Sequence, residues 1–370
     1  MAPPAPERFE IEIGDEVFAD LRERLGRTRW PSQPPERWEL GVDLGYAREL
    51  CEHWAAGYDP DRLPRLLNRF QNFKREGLHY IHEPGERDGL PLLLLHGWPG
   101  GPIEYLDVIP RLRDAGHEVA VPSMPGYAWS DDPGSPLNIA AVAGRFRELA
   151  EGGLGWRRYG VVGGDWGAPV AARIAFDSPE RVAALHVFTP GTLPPAANLA
   201  DPPLSQPEQS FIERGMRWRR REGHHVLLQS TAPDVVSAGL NDSPAGLAAY
   251  LLEKYRRWSD CDGDVERRFS KDEVCDYLTM YWATGTVASS MRLYWGERAN
   301  RWRPQEGETI DVPAGVAVFP AEIINPPREW SARLLTDLRR WTEMPRGGHF
   351  AAHEEPQLLA EDVLALVREI

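Results

Sequence analysis

The sequence predicts an α/β fold, a mostly parallel, doubly wound sheet carrying an inserted helical lid and an N-terminal arm. Three observations carry that expectation. From Leu78 onward, short apolar runs of the kind a fully buried parallel strand needs alternate with segments of helical periodicity. The alternation stops after Thr189-Pro190-Gly191 and resumes only at Val312, which leaves a long, mostly helical insertion. Between them, Tyr159-Gly160-Val161-Val162-Gly163-Gly164-Asp165-Trp166-Gly167-Ala168 reads as strand, sharp turn and helix.

Residues 1–75 form the expected arm. Helical patches at 17–25 and 44–55 are separated by turns at Arg29-Trp30-Pro31 and at residues 34–38. Trp30, Trp38, Trp54, Phe70 and Phe73 supply the apolar area with which such an arm docks onto another domain. Residues 76–191 hold the first part of the core, with strands at 78–82, 91–95, 118–121, 159–162 and 182–188 and helices at 103–115, 139–151 and 168–177. Residues 192–311 are the lid, opening with a Pro-rich stretch at 193–207 and continuing in helices at 217–229, 243–258 and 271–294. It is inserted at the carboxyl ends of the strands, where ligands of such sheets bind. Residues 312–370 complete the core with a strand at 316–319 and a closing amphipathic helix at 357–370, for which Pro356 suits the first turn.

Composition narrows the function. A formal net charge of -14 leaves no basic footprint for a nucleic acid, so the expected ligand is small and neutral. Cys51, Cys261 and Cys275 show no metal or redox spacing and fit buried thiols in a reducing compartment. No histidine or cysteine spacing resembles a metal site, and no metal or cofactor is expected. The N-terminus lacks an apolar core of signal-peptide length, so a cytoplasmic protein without a membrane anchor is expected. Monomer or homodimer stays open.

The chemistry starts at the Gly-Gly-Asp-Trp-Gly turn. Small residues flank a nucleophile elbow because its tight backbone leaves no room for a Cβ, and here the nucleophile position holds Asp165. A carboxylate is a poor acyl acceptor but displaces a leaving group from an alkyl carbon, giving an alkyl ester on the enzyme. Epoxides and alkyl halides are the natural electrophiles. The turn His96-Gly97-Trp98-Pro99-Gly100-Gly101 follows an earlier strand, so the backbone N–H groups of Trp98 and Trp166 are the expected oxyanion donors. In the chain order nucleophile, acid, histidine, the expected base is His349, set directly after two glycines in Arg346-Gly347-Gly348-His349-Phe350. His353 reads as a surface residue, and His79, His82, His117 and His186 as structural ones. Glu322 follows the strand at 316–319 and is the candidate acid that orients His349. Spacing alone leaves it level with an ordinary loop carboxylate, with Glu343 and Glu329 as alternatives.

With Asp165, His349 and Glu322 in these roles, the chain resembles the microsomal-type epoxide hydrolases of the α/β-hydrolase superfamily. The matching segments are Arg29-Trp30-Pro31, His96-Gly97-Trp98-Pro99-Gly100, Pro122-Ser123-Met124-Pro125-Gly126-Tyr127, Gly163-Gly164-Asp165-Trp166-Gly167, Leu240-Asn241-Asp242-Ser243-Pro244-Ala245-Gly246-Leu247, Tyr281-Trp282-Ala283-Thr284-Gly285-Thr286, Phe319-Pro320-Ala321-Glu322 and Arg346-Gly347-Gly348-His349-Phe350. The resemblance implies an α/β-hydrolase fold and selects Glu322 as the acid. It also implies that two lid tyrosines hold the epoxide oxygen. Tyr294 is similar to one of them; where the other should fall the chain has Arg221-Glu222-Gly223-His224-His225, so His225 stands in for it, with His224 as second choice. The implied reactants are a small-molecule epoxide and water, and the product a vicinal diol, in detoxification or secondary metabolism. A haloalkane dehalogenase is the alternative reading, less favoured because those enzymes usually have Asn or Glu where this chain has Trp98. A ligand-binding protein that only keeps the fold is a further one. Trp98, Trp129, Trp166, Trp282 and Trp295 fall on segments expected near the strand ends, which suits a bulky, neutral, aryl-substituted substrate.

Overall fold

The computed structural model describes residues 6–32, 37–85, 89–196, 199 and 202–370. Part of the expected turn at 34–38 and part of the Pro-rich stretch lie outside them. The chain opens with β1 (Glu7–Arg8) and the arm helices α1 (Asp15–Gly26), α2 (Leu44–Ala56) and α3 (Arg62–Leu67). The core follows as β2 (Asn72–Arg75), β3 (Leu78–Glu83), β4 (Leu92–Leu95), α4 (Ile109–Asp114), β5 (Val119–Pro122), α5 (Ile139–Glu148), β6 (Tyr159–Gly163), α6 (Gly167–Asp177) and β7 (Val182–Val187). Between β7 and the next strand stand α7 (Gln206–Arg221), α8 (His224–Thr231), α9 (Pro233–Asp242), α10 (Pro244–Trp258), α11 (Lys271–Thr284) and α12 (Val287–Ala299). The chain closes with β8 (Ala314–Val318), α13 (Arg328–Ala332), β9 (Leu338–Glu343), α14 (Ala351–Glu354) and α15 (Pro356–Val367).

The strands form one nine-stranded sheet in the order β1-β2-β3-β5-β4-β6-β7-β8-β9. From β5 to β9 every pairing is parallel, whereas β1, β2 and β3 add an antiparallel edge. The α/β-hydrolase fold is thus present. Strands β4, β5, β6 and β7 are buried along their whole length, which is why they read as unbroken apolar runs rather than as alternating ones. Their parallel direction brings the loops after β4, β6, β8 and β9 to one edge, where the functional groups collect.

Several elements differ from expectation. Residues 103–115 are a 3₁₀ turn (Pro102–Tyr105) followed by α4, and α5 ends in a π turn (Leu149–Gly153). The helix expected at 217–229 is two helices, α7 and α8, parted at Glu222 and Gly223. The one expected at 271–294 breaks at Gly285, whose φ of 63° makes it a left-handed C-cap of α11. Polar β2, an antiparallel partner for β3, lacks an apolar signal of its own. Helix α9 starts at Pro233, in a stretch whose periodicity is too short to stand out.

The arm is anchored on the helical insertion. Trp54 of α2 is buried, and its Nε1 donates to Thr279 Oγ1 of α11 at 2.9 Å. Tyr58 donates to Asp276 Oδ1 at 2.8 Å, and Arg62 Nε pairs with the same carboxylate at 3.0 Å. Trp38 lies 4.3 Å from the guanidinium of Arg256. All three cysteines are buried free thiols. Among the described residues, no helix is long and apolar enough to cross a membrane. Trp54→Ala should cost about 3–5 kcal/mol of stability, because it leaves a cavity and orphans Thr279. Equilibrium urea unfolding of the variant beside wild type measures the loss.

Candidate active site

Asp165 occupies the turn between β6 and α6 with a φ of 47°, a left-handed conformation that few non-glycine residues adopt. Close packing enforces the glycines around it. A Cβ on Gly163 would lie 2.2 Å from the Gly167 carbonyl oxygen, and one on Gly97 would lie 2.1 Å from Asp165 Oδ1. The elbow is held from outside by two threonines: the Asp165 N–H donates to Thr189 Oγ1, and Thr192 Oγ1 donates to the Asp165 carbonyl at 3.0 Å. Nothing in the sequence pattern singled out Thr189, which lies just beyond the neighbouring strand β7.

The carboxylate of Asp165 has a defined orientation. Trp98 N–H donates to Oδ1 at 2.6 Å, while Oδ2 stands 3.5 Å from His349 Nε2. On the other side of the imidazole, Nδ1 meets Glu322 Oε1 and Oε2 at 3.0 and 3.1 Å. The structure therefore brings Asp165, His349 and Glu322 into one line. Trp166 is the residue after the elbow, at the N-cap of α6, with its ring packed edge-on against Tyr294 at 4.7 Å. Of the other carboxylates considered for the acid, Glu343 ends β9 and Glu329 accepts from Ser205 Oγ.

Electrostatics follow from this burial. Desolvation alone would lower the pKa of His349, but the charges of Glu322 and Asp165, with the hydrogen bonds they accept, hold it well above the ordinary imidazole range. His96, buried below the glycine turn, has its pKa pushed down to about 4 by burial and stays neutral; its Nε2 accepts from Met124 N–H at 3.0 Å. Glu354 is a partner that sequence spacing missed. It accepts from the N–H groups of Gly348 and Phe350 at 3.1 and 3.0 Å and so grips the loop on both sides of His349. Burial pushes its pKa up to about 7.

The helical insertion covers this centre with rings. Trp98 stacks on His225 at 5.6 Å with an interplanar angle of 10°, and Tyr294 stands edge-on to Trp98 at 5.9 Å. His225 is buried, whereas His224 is half exposed and meets Lys254 Nζ at 2.9 Å. His225 is therefore the one of the two that joins the rings of Trp98, Trp258 and Tyr294. Burial holds the imidazole of His225 well below, and the phenol of Tyr294 well above, their ordinary pKa ranges. Both are neutral at pH 7. Trp258, which the sequence reading passed over, touches both His225 at 4.9 Å and His349 at 5.0 Å.

Of the five tryptophans on segments near the strand ends, about two or three are expected to face a ligand; Trp282 packs against Trp54 in the arm joint, Trp129 packs against His79 and Trp295 is 43% exposed, which leaves Trp98 and Trp166 at the centre. His353 is not a surface residue: it stacks on Phe269 at 4.4 Å. His79, His82, His117 and His186 each have a structural partner, respectively Ser123, Glu118, the Leu90 carbonyl and Asp362. Among the described residues, no cluster of His, Cys, Asp and Glu could hold a metal ion.

Comparison with known proteins gives this geometry a context. Residues 6–105 match the family described as epoxide hydrolase N terminus, and residues 91–222 the alpha/beta hydrolase fold. Epoxide hydrolase 1 of Sus scrofa is 34% identical, over 96% of this chain and 87% of its own. Among solved structures, the juvenile hormone epoxide hydrolase of the silkworm Bombyx mori superposes with a TM-score of 0.89 at 29% identity, covering 99% of this chain and 94% of its own. The Aspergillus niger epoxide hydrolase gives 0.86 at 26% identity, covering 100% and 97%.

The charge arrangement around His349 is open to direct measurement. Glu322→Gln removes the carboxylate charge that most strongly raises the imidazole, and the pKa of His349 should fall. NMR titration of the imidazole Cε1–H in wild type and variant checks this, and an unchanged midpoint would show that Glu322 does not set it.

Proposed function

The chain belongs to the epoxide hydrolases of the α/β-hydrolase fold, and on that premise we propose that it opens its substrate in two steps through an ester on Asp165. Oδ2 attacks one ring carbon, the C–O bond of the ring breaks, and the freed oxygen is held and protonated by Tyr294 with His225 beside it. Oδ1 becomes the ester carbonyl oxygen, already in place against Trp98 N–H. In the second step His349 Nε2 takes a proton from water, whose oxygen bonds to the ester carbon. The negative charge that develops on Oδ1 is received by the N–H groups of Trp98 and Trp166. Collapse breaks the ester C–O bond, the second proton of that water passes to the departing oxygen as the vicinal diol leaves, and one water oxygen stays on Asp165. Glu322 fixes the tautomer of His349 and stabilises its protonated form.

One observation carries this reading: the carboxylate of Asp165 has one oxygen on a backbone donor and the other facing a histidine backed by a second carboxylate. His349 changes state between the steps. While Asp165 is charged the imidazole is held protonated; esterification removes that charge and the imidazolium proton replaces the one Tyr294 gave up, so the base is available when water must be activated. A dehalogenase has no support from the relatives named above, and Tyr294 and His225 suit a leaving oxygen better than a halide.

The substrate class we infer is a neutral, bulky or aryl-substituted epoxide. Trp98, Trp166, Trp258 and Tyr294 give the centre aromatic walls. Detoxification and secondary metabolism are both suitable settings, and cytoplasmic residence fits either.

Repeated turnover in H₂¹⁸O should place the label in the Asp165 peptide, read by mass spectrometry; diol formed without label there would rule the ester out. Tyr294→Phe and His225→Phe should each slow ester formation about 10–100-fold, since a neutral donor to a developing alkoxide contributes about that much. Styrene-type epoxides should give a higher kcat/KM than short aliphatic or anionic ones, and the reverse order would refute the aromatic-wall argument.

A further inference from the structure

Behind the oxyanion turn lies a carboxyl group that the reaction above does not use. Glu104 sits in the 3₁₀ turn Pro102–Tyr105 and is buried, with 7% exposure. Its Oε1 accepts a hydrogen bond from Gly101 N–H at 3.3 Å, and a Cβ built on Gly100 would lie only 1.3 Å from that oxygen. The segment Gly97 to Gly101 is therefore clasped at both ends by carboxyl groups: Asp165 at Trp98 N–H and Glu104 at Gly101 N–H. Gly100 N–H donates to Gly97 O at 3.1 Å, so the two clasps are one tight turn apart. The 3₁₀ turn packs on α14, the helix that begins directly after His349 and Phe350.

No cation pairs with Glu104 among the described residues. The ionisable groups facing it are Asp165 from the elbow, His349 from the loop before α14, Tyr105 from its own turn, Tyr255 from α10 and Tyr277 and Tyr281 from α11. The tyrosines are neutral and otherwise engaged: Tyr255 donates to Pro99 O at 3.0 Å, Tyr281 to Gly100 O at 3.1 Å and Tyr105 to Leu95 O at 2.8 Å. His349 is faced in addition by Glu322 and Glu354.

We propose that Glu104 is a positioning residue of the hydrolytic half-reaction: it holds the Gly101 end of the oxyanion turn and places a further carboxyl near His349, balancing the imidazolium that forms once Asp165 is an ester. The proposal rests on the two-step reading above. Burial pushes the pKa of Glu104 up to about 8, with the His349 charge lowering it and the Asp165 charge raising it. In the resting enzyme at pH 7 the group is thus mostly protonated, which keeps a third negative charge out of the site. Esterification of Asp165 removes the charge that raised it, and as His349 accepts the water proton Glu104 ionises, its own proton passing to solvent. It exchanges no atom with the substrate.

Single-turnover stopped flow with styrene oxide, following tryptophan fluorescence, separates ester formation from ester hydrolysis. In Glu104→Gln, ester formation should stay within about twofold of wild type while hydrolysis slows about tenfold, the equivalent of one pKa unit of lost charge stabilisation. The rising pH limb of the hydrolysis rate should move to lower pH, because removal of an anion lowers the His349 pKa. A purely structural role would not move that limb. Unchanged hydrolysis with an unchanged limb, or equal slowing of both phases, overturns the proposal. If circular dichroism shows Glu104→Gln to be misfolded, Glu104→Asp replaces it: a limb near that of wild type with hydrolysis slowed through the lost Gly101 contact is expected, and wild-type behaviour in both overturns it. A wild-type enzyme that forms no ester at Asp165 would fail the two-step reading itself, whereas an ester-forming wild type with an indifferent Glu104→Gln fails this inference alone.

Discussion

The line Glu322–His349–Asp165 is largely buried, and the charges in it must therefore satisfy one another. A buried imidazolium between two carboxylates is stable only while both are charged and well placed. Much of the surrounding structure serves that condition. Glu354 grips the loop on both sides of His349, Thr189 and Thr192 hold the elbow, and His96 stays neutral beneath the turn that contributes Trp98 N–H. Each of these side chains fixes backbone, and His96 does so without adding charge to the line.

The second condition concerns the covering helices. The Tyr294 hydroxyl and the His225 imidazole are set in a stack of rings made by Trp98, Trp166 and Trp258. Burial keeps both uncharged at neutral pH, from opposite directions: it raises the phenol and lowers the imidazole. On the proposed reading, a His in place of a second phenol keeps the capacity to donate one proton.

The sheet and the Asp165 elbow were legible because they are local: apolar runs of strand length, and glycines where a Cβ has no space. His349 and Glu322 were legible through chain order and flanking residues, although Glu322 needed the Phe319-Pro320-Ala321-Glu322 match to stand above other loop carboxylates. Thr189, Glu354 and Trp258 were not legible. Their roles arise only when β7, α14 and the end of α10 are brought together, and nothing in their own neighbourhoods marks the contact. The same holds for the tryptophans, since Trp282 looks equally suited to a ligand wall and to the Trp54 joint where it lies. Helix breaks at Glu222 and Gly285 were missed because amphipathic periodicity runs on through both.

The backbone N–H of His349 donates to the Trp258 carbonyl, at 2.8 Å, so the last turn of a covering helix is fastened directly to the loop that carries His349. The cover and the chemistry consequently share a mechanical joint. Replacing the helices of the insertion by those of a relative, to alter which molecules are accepted, would transmit any shift at that joint into the aim of the imidazole. Chimaeras that cut the chain after residue 258 and keep the native Trp258 therefore preserve the working alignment, and those that cut before it put selectivity and rate under the control of the same few tenths of an ångström.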